Sequence, residues 1–158
     1  MSTVTFQTNK GTITAELYPD AAPKTVESFQ KLIRDGFYDG IIIHRVEPRF
    51  VVQAGDPLTK ELPLDNPRIG TGGPGYQIKL EVQGNPHRHI TGALSMARSQ
   101  HPDSAGSQFF IVLDETSGRH LDGQYTVFGQ VTEGMDVVQT LRRGDKLEKV
   151  TVSDGAAA

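Results

Sequence analysis

At 158 residues the chain has room for one domain with one core, and 36% hydrophobic content beside 17 glycines is the composition of a folded globular protein. Sixteen basic against nineteen acidic residues leave a formal charge of −3, which offers no basic field for a phosphate backbone, so nucleic acid is not an expected partner. The lack of cysteine excludes disulfides, thiol nucleophiles and thiolate metal sites; no apolar run suits a membrane span or a secretory leader, so a soluble, cytoplasmic protein without a membrane partner is expected.

The N-terminal stretch pairs "TVTFQ" with "TITAELY" across Thr8-Asn9-Lys10-Gly11. Val4 and Phe6, then Ile13, Ala15 and Leu17, fall at alternate positions, which predicts a β-hairpin. From Pro23 the period becomes helical: Val26, Phe29, Leu32 and Ile33 share one face, proline suits the first turn, and Gly36 can supply a left-handed C-terminal cap. Short apolar runs bounded by turn residues predict strands at 41–46, 50–54, 76–80, 92–97, 108–113 and 125–131. A second helix over about Met135 to Arg143 stops at Gly144, and "KLEKVTV" predicts a last strand. Many strands with two separated helices predict a mainly β fold, an antiparallel closed sheet with helices over its openings. The single domain is placed at 1–153, with 154–158 as a disordered tail.

Three apparent motifs carry little. "GTGGPG" at 70–75 satisfies a glycine-rich phosphate pattern but holds Pro74 and precedes no helix, so it reads as a surface loop. "HRH" at 87–89 reads as a solvated turn rather than a metal site. Ser107 lacks the surroundings of a nucleophile elbow, which disfavours hydrolysis.

Two stretches ask for more than a core. In "IIIHRVEPRFVVQAGD", residues 41–56, Arg45 interrupts β-branched residues, and a permanent charge against apolar surface costs free energy unless it is partnered. Its structural explanation is an ion pair with Asp56 or Glu47. In "GSQFFIVL" the strand neighbours Phe109 and Phe110 point to opposite faces, so one ring enters the core and the other crosses the sheet. The alternative is that both fill core from two sides of a bent strand.

Taken in order, "HRV" with "FVVQAGD", then "GTGG", "SMA", "GSQFF", "LDG" and "VFGQV" resemble the signature blocks of the cyclophilin-type peptidyl-prolyl isomerases. The match takes in the "APKTVESF" helix and extends over nearly the whole chain. This resemblance implies a closed eight-stranded antiparallel β-barrel capped by two α-helices, with an outer groove for a proline-containing peptide. It implies a prolyl cis/trans isomerase that needs no metal or coenzyme and acts as a monomer on peptides and on unfolded or folding proteins. The family's catalytic positions fall on Arg45, Phe50 and Gln53. Its substrate-binding positions fall on Val51, Ala97, Arg98, Gln108, Phe110, His120, Leu121 and Tyr125.

The chemistry suits those residue types. An X–Pro bond has a barrier of about 18–20 kcal/mol because the nitrogen lone pair is delocalised into the carbonyl; when the bond twists, the nitrogen becomes pyramidal and its lone pair can accept a hydrogen bond. Arg45 can donate it, Phe50, Val51, Phe110 and Leu121 can hold the ring, and Gln53 and Gln108 can orient carbonyls and the arginine. Alternation puts Val51 and Gln53 on one face and Phe50 on the other, so a shared groove requires a bulge or a strand start near residue 50. The chain departs from the family at the rim. His120 stands where tryptophan is common, Tyr125 where histidine is frequent and Arg98 where asparagine is common, and "RSQHPDSA" is one residue longer. Reduced affinity for the cyclic peptide cyclosporin is therefore expected. Two other function classes remain open: a proline-peptide binding or chaperone-like module with incidental turnover, and a small-ligand barrel, which needs an open apolar interior.

Overall fold

The computed structural model describes residues 2–154. β1 (Ser2–Thr8) and β2 (Gly11–Leu17) form the expected hairpin, paired from Ser2 opposite Leu17 to Thr8 opposite Gly11. The Thr8 hydroxyl closes the turn, donating to the Gly11 carbonyl at 2.8 Å and accepting the Lys10 N–H at 3.1 Å. α1 (Pro23–Arg34) has no side-chain cap of its own. Glu81 supplies one from afar: its carboxylate accepts the main-chain N–H groups of Lys24 at 3.2 Å and Thr25 at 2.7 Å, two of the helix's orphan donors. The helix ends as the glycine predicts. Gly36 takes φ +76°, and the N–H groups of Gly36 and Phe37 return to the carbonyls of Ile33 and Leu32, both at 3.0 Å.

The remaining elements are β3 (Arg45–Glu47), β4 (Val51–Ala54), β5 (Ala93–Met96), β6 (Phe109–Val112), α2 (Glu115–Gly118), β7 (Val127–Glu133), α3 (Met135–Thr140) and β8 (Leu147–Asp154). All eight strands join one curled antiparallel sheet in the order β3-β4-β6-β5-β7-β2-β1-β8. Its inner face carries Phe6, Ile13, Val52, Ala54, Leu94, Phe109, Ile111 and Phe128, packed against Phe29 and Ile33 of α1. Phe29 centres an aromatic cluster, 5.5 Å from Phe109 and 4.9 Å from Phe128, both edge-on. An interior cavity among Phe6, Val52, Phe109 and Leu147 measures only about 10 Å³, so the small-ligand reading lacks the room it needs.

Several expected elements differ. The strand expected at 41–46 begins only at Arg45. Residues 40–43 instead exchange backbone hydrogen bonds with the start of β8: Gly40 N–H to Leu147, Leu147 N–H to Ile41 and Ile43 N–H to Asp145, each 2.8 Å, and Gly144 N–H to Ile43, 2.9 Å. The run 76–80 carries a single bridge, Ile78 to Ala105, rather than a strand. Side chains take the N–H groups a ladder would use there, Asp103 accepting from Leu80 and the Thr126 hydroxyl from Glu81, both at 2.9 Å. The helix expected through Arg143 stops at Thr140, because Leu141 turns extended (φ −65°, ψ 143°) and buries its side chain in the core. The described residues hold three α-helical segments rather than two; α2 is one turn, too short for a helical period to show. β8 includes Asp154, assigned above to the tail, and 155–158 lie outside the described residues. Among the described residues no helix is long and apolar enough to cross a membrane.

Candidate active site

Because strand side chains alternate, the sheet has a second, outward apolar surface. Val51, Ala93, Phe110, Val112, Leu121 and Val127 form a cluster separate from the interior, with Tyr18, Phe50, Ala97 and Tyr125 packed on it. Phe109 therefore enters the core while Phe110 crosses the sheet, as expected from their adjacency. Phe50 reaches the same face because β4 starts only at Val51. Arg49, with φ +62°, turns the chain, and the Phe50 N–H returns to the Glu47 carbonyl at 2.9 Å. That is the strand start the alternation demands.

Arg45 is not buried in a strand, contrary to its apolar sequence context. It stands exposed on edge strand β3, opposite Gln53. Neither ion pair considered for it explains it. Asp56 is fully buried, and its carboxylate accepts the N–H groups of Leu58 at 2.8 Å and Gly70 at 2.5 Å. Glu47 lies 3.6 Å from Arg45 Nε, with side chains 53% and 45% exposed, a surface pair worth at most about 1 kcal/mol.

What orients the guanidinium is a relay of amides. Arg45 Nη1 donates to Gln53 Oε1 at 3.2 Å, Gln53 Nε2 donates to Gln108 Oε1 at 3.0 Å, and Gln108 Nε2 donates to the carbonyls of Gly70 and Gly72, both at 2.9 Å. The direction follows from the far end. Two carbonyls consume both protons of the Gln108 amide nitrogen, so its oxygen must accept from Gln53, whose own oxygen is left to face Arg45. Gly72 is required here by close approach, since a Cβ would run into the Asp56 carboxylate.

Every site residue named above except Gln108 lines one open groove of about 500 Å³. Val51, Phe110 and Leu121 give it an apolar floor; Arg45, Gln53 and Phe50 stand at one side, Ala97, Arg98 and Tyr125 at the other. His120 and Leu121 come from the 3₁₀ turn Arg119–Leu121 that follows α2, and the His120 ring stacks on Phe50 at 5.6 Å. Gln108 lines an adjoining cavity of about 890 Å³ formed by the glycine-rich loop, which shares Gln53, Ala97 and Arg98 with the groove.

Three residues here escape a reading of the sequence. Gln124 also lines the groove, and its carbonyl accepts Arg98 Nε at 2.9 Å. His44, beside Arg45, is half-buried with Nδ1 unpartnered among the described residues, and burial pushes its pKa below the ordinary imidazole value. His89 corrects the solvated-turn reading of "HRH": it is 2% exposed and lies parallel to Phe110 at 5.9 Å. Its Nδ1 is 2.9 Å from Asp122 Oδ1, which also accepts the His89 main-chain N–H at 2.7 Å, and its Nε2 is 2.8 Å from the Ser95 hydroxyl. Burial pushes the His89 pKa down, against the pull of Asp122. His87 stacks on Tyr18 at 3.6 Å. Ser107 is structural, its buried hydroxyl donating to the Gly55 carbonyl at 2.7 Å.

A curled eight-stranded antiparallel sheet carrying an arginine-edged apolar groove on its outside defines a cyclophilin-like protein. The family described as cyclophilin type peptidyl-prolyl cis-trans isomerase/CLD matches residues 3–155. Peptidyl-prolyl cis-trans isomerase B of Bacillus subtilis (strain 168) is 50% identical over 137 residues, 87% of this chain and 87% of the relative. A peptidyl-prolyl cis-trans isomerase of Synechococcus elongatus is 43% identical over 159 residues, 99% of this chain and 100% of the relative. A Cryptosporidium parvum cyclophilin type isomerase, crystallised in the presence of the dipeptide Ala-Pro, matches with a TM-score of 0.82 and 26% identity over 97% of this chain and 99% of that one. The chain belongs to the cyclophilin-type peptidyl-prolyl cis-trans isomerase family. Its activity is the family's, cis/trans isomerisation of peptidyl-prolyl bonds.

Proposed function

We propose that the groove seats the proline ring against Phe50, Val51, Phe110 and Leu121, and that Arg45 lowers the rotational barrier by donating a hydrogen bond to the proline nitrogen as it becomes pyramidal. The observation that carries this is the relay from Gly70 and Gly72 through Gln108 and Gln53, which holds the guanidinium at the edge of the apolar floor, its ion pair with Glu47 being loose and solvent-exposed. A planar amide nitrogen has no free lone pair, so the donor does little for the ground state and acts as the bond twists. No bond breaks, and the reading calls on no cofactor. The Ala-Pro dipeptide present with the Cryptosporidium parvum relative supports a proline-containing ligand, and an open groove supports action on folding chains as well as short peptides.

Two finer points belong to the same reading. The bonds between residues 40–43 and 144–147 support a sheet closed into a barrel, which keeps the groove's floor rigid. Cyclosporin should bind weakly, because the imidazole of His120 at the rim offers less apolar wall than an indole and no fixed donor.

Exchange NMR on a short X–Pro peptide tests the mechanism. Arg45→Ala should lower kcat/KM by roughly two to three powers of ten, about 3–4 kcal/mol of transition-state stabilisation, with peptide affinity and Tm little changed. An unchanged rate, or rate, affinity and Tm falling together, would remove Arg45 from this role.

A further inference from the structure

The groove and the glycine-rich cavity meet at Arg98, which lines both. Its side chain is half-buried and fixed. The guanidinium lies over the Tyr125 ring at 4.7 Å, Nε donates to the Gln124 carbonyl at 2.9 Å, and Nη1 donates to the carbonyls of Ser99 at 2.8 Å and Gln100 at 3.3 Å. Nη2 makes no hydrogen bond, and no carboxylate stands within 4.0 Å of the guanidinium among the described residues. Carbonyl oxygens and a π-face hold the cation in place, but no anion neutralises it.

The rest of the lining has the same bias. The chain carries nineteen acidic residues, and among the described residues none of them lines either cavity; the formally charged residues that do are Arg45 and Arg98. Glu47 pairs loosely with Arg45 but lies outside both linings. We propose that Arg98 makes this groove selective for proline peptides with a carboxylate side chain on the residue seated toward the glycine-rich cavity. The inference rests on the seating of the proline ring against Phe110. A carboxylate there takes the free Nη2–H and meets a guanidinium whose rotamer is already fixed, so little side-chain entropy is lost on binding. A lysine at the same place meets two cations and no anion. A purely structural Arg98, pinning residues 99–100 over Tyr125, gives no such preference.

Peptides differing only by Ala, Asp or Lys at each position flanking an X–Pro pair decide it, with affinity read by NMR titration of the whole chain. At one flanking position the Asp peptide should bind about tenfold more tightly than the Lys peptide, and added salt should shrink that ratio. Arg98→Gln should bring the ratio close to one and Arg98→Glu should invert it, the amide spectrum of each variant showing whether it is folded. Arg98→Lys should keep the sign of the preference at reduced size. An Asp-to-Lys ratio near one at every position, a ratio unmoved by salt, or one that survives in folded Arg98→Gln overturns the proposal. The wild-type exchange rate of the Ala peptide reports separately on the isomerase reading: selective binding without catalysis sinks that reading alone, and catalysis without selectivity sinks this one alone.

Discussion

Phe109 and Phe110 are neighbours in one four-residue strand, and the two sides of that strand are built differently. Phe109 meets other apolar rings: Phe6 at 5.7 Å, Phe29 at 5.5 Å and Tyr38 at 5.7 Å. Phe110 meets Tyr125 at 5.8 Å and the imidazole of His89 at 5.9 Å, and His89 is in turn held by Asp122 and Ser95. The inner face is closed mainly by packing, with the buried Tyr38 hydroxyl donating to the Ser107 carbonyl at 2.9 Å. The outer one is a thin apolar layer backed and rimmed by hydrogen-bonded side chains, which cannot collapse inward without losing their partners. A concavity on an otherwise well-packed protein persists for that reason.

The largest test separates the two rings. Phe109→Ala should cost about 3–5 kcal/mol in denaturant unfolding, since the vacated volume lies in a core that solvent does not reach. Phe110→Ala should cost less, because the space opens into the groove, yet it should lower kcat/KM by about tenfold or more through loss of the ring's seat. Equal stability losses, with an unaltered rate in folded Phe110→Ala, would erase the distinction. Next in size is Gly72→Ala, which forces the loop away from Asp56 and draws the Gly72 carbonyl off Gln108. It should cost about 1–3 kcal/mol of stability and slow turnover, with Arg45 no longer oriented. A normal rate in this variant would show that Arg45 needs no relay.

The sequence shows the periods of these elements and hides their partners. Alternation in "VVQA" and "FFIV" is enough to put Val52 and Gln53, and Phe109 and Phe110, on opposite faces, though not to say which face is the core, and Pro23 and Gly36 bracket α1 correctly. The expected strand at 76–80 fails because whether an apolar run joins a ladder depends on what accepts its N–H groups. Asp103 and Thr126, 23 and 45 residues further on, decide that. His89 looks like part of a polar turn until Asp122, 33 residues away, folds over it. The groove's residues were legible through family resemblance. Composition alone left Arg45 as a candidate ion pair, and the relay behind it depends on two glycine carbonyls that no side-chain pattern reveals.

A smaller effect concerns the rim. The His120 ring already stacks on Phe50, so an indole at that position extends an existing wall instead of building a new one. His120→Trp should tighten cyclosporin by on the order of one to three kcal/mol in calorimetric titration while peptide turnover persists. Equal affinities, or tight binding by the unsubstituted chain, would show that residue 120 does not limit the drug's fit.

The smallest effect is pH, and it tests whether the outer layer yields before the inner one. His44, His87 and His89 all have pKa values below the ordinary imidazole value, with burial the main cause, so the folded chain resists protons that the unfolded chain accepts near about 6.5. Where the unfolded state binds more protons, stability rises with pH. The contribution of these histidines is therefore complete above that value and is lost as the pH falls through their lowered folded-state pKa values. Asp122 acts in a lower window. Partial burial works against its ionisation, yet the bonds from the His89 main chain and ring hold its pKa below the ordinary aspartate value, so its share is lost only as the pH falls through that lowered value. Tm should accordingly decline gently as the pH falls below about 6.5, and the decline should be shallower in His89→Gln, with His44 and His87 supplying the remainder. As the pH falls through the lowered His89 value, the Phe110 ring resonances should shift, because the cation forms directly behind that ring, while those of Phe109 stay fixed. Shifts of equal size at both rings, or an unaltered slope in His89→Gln, would mean that the two sides of the strand respond to acid as one body.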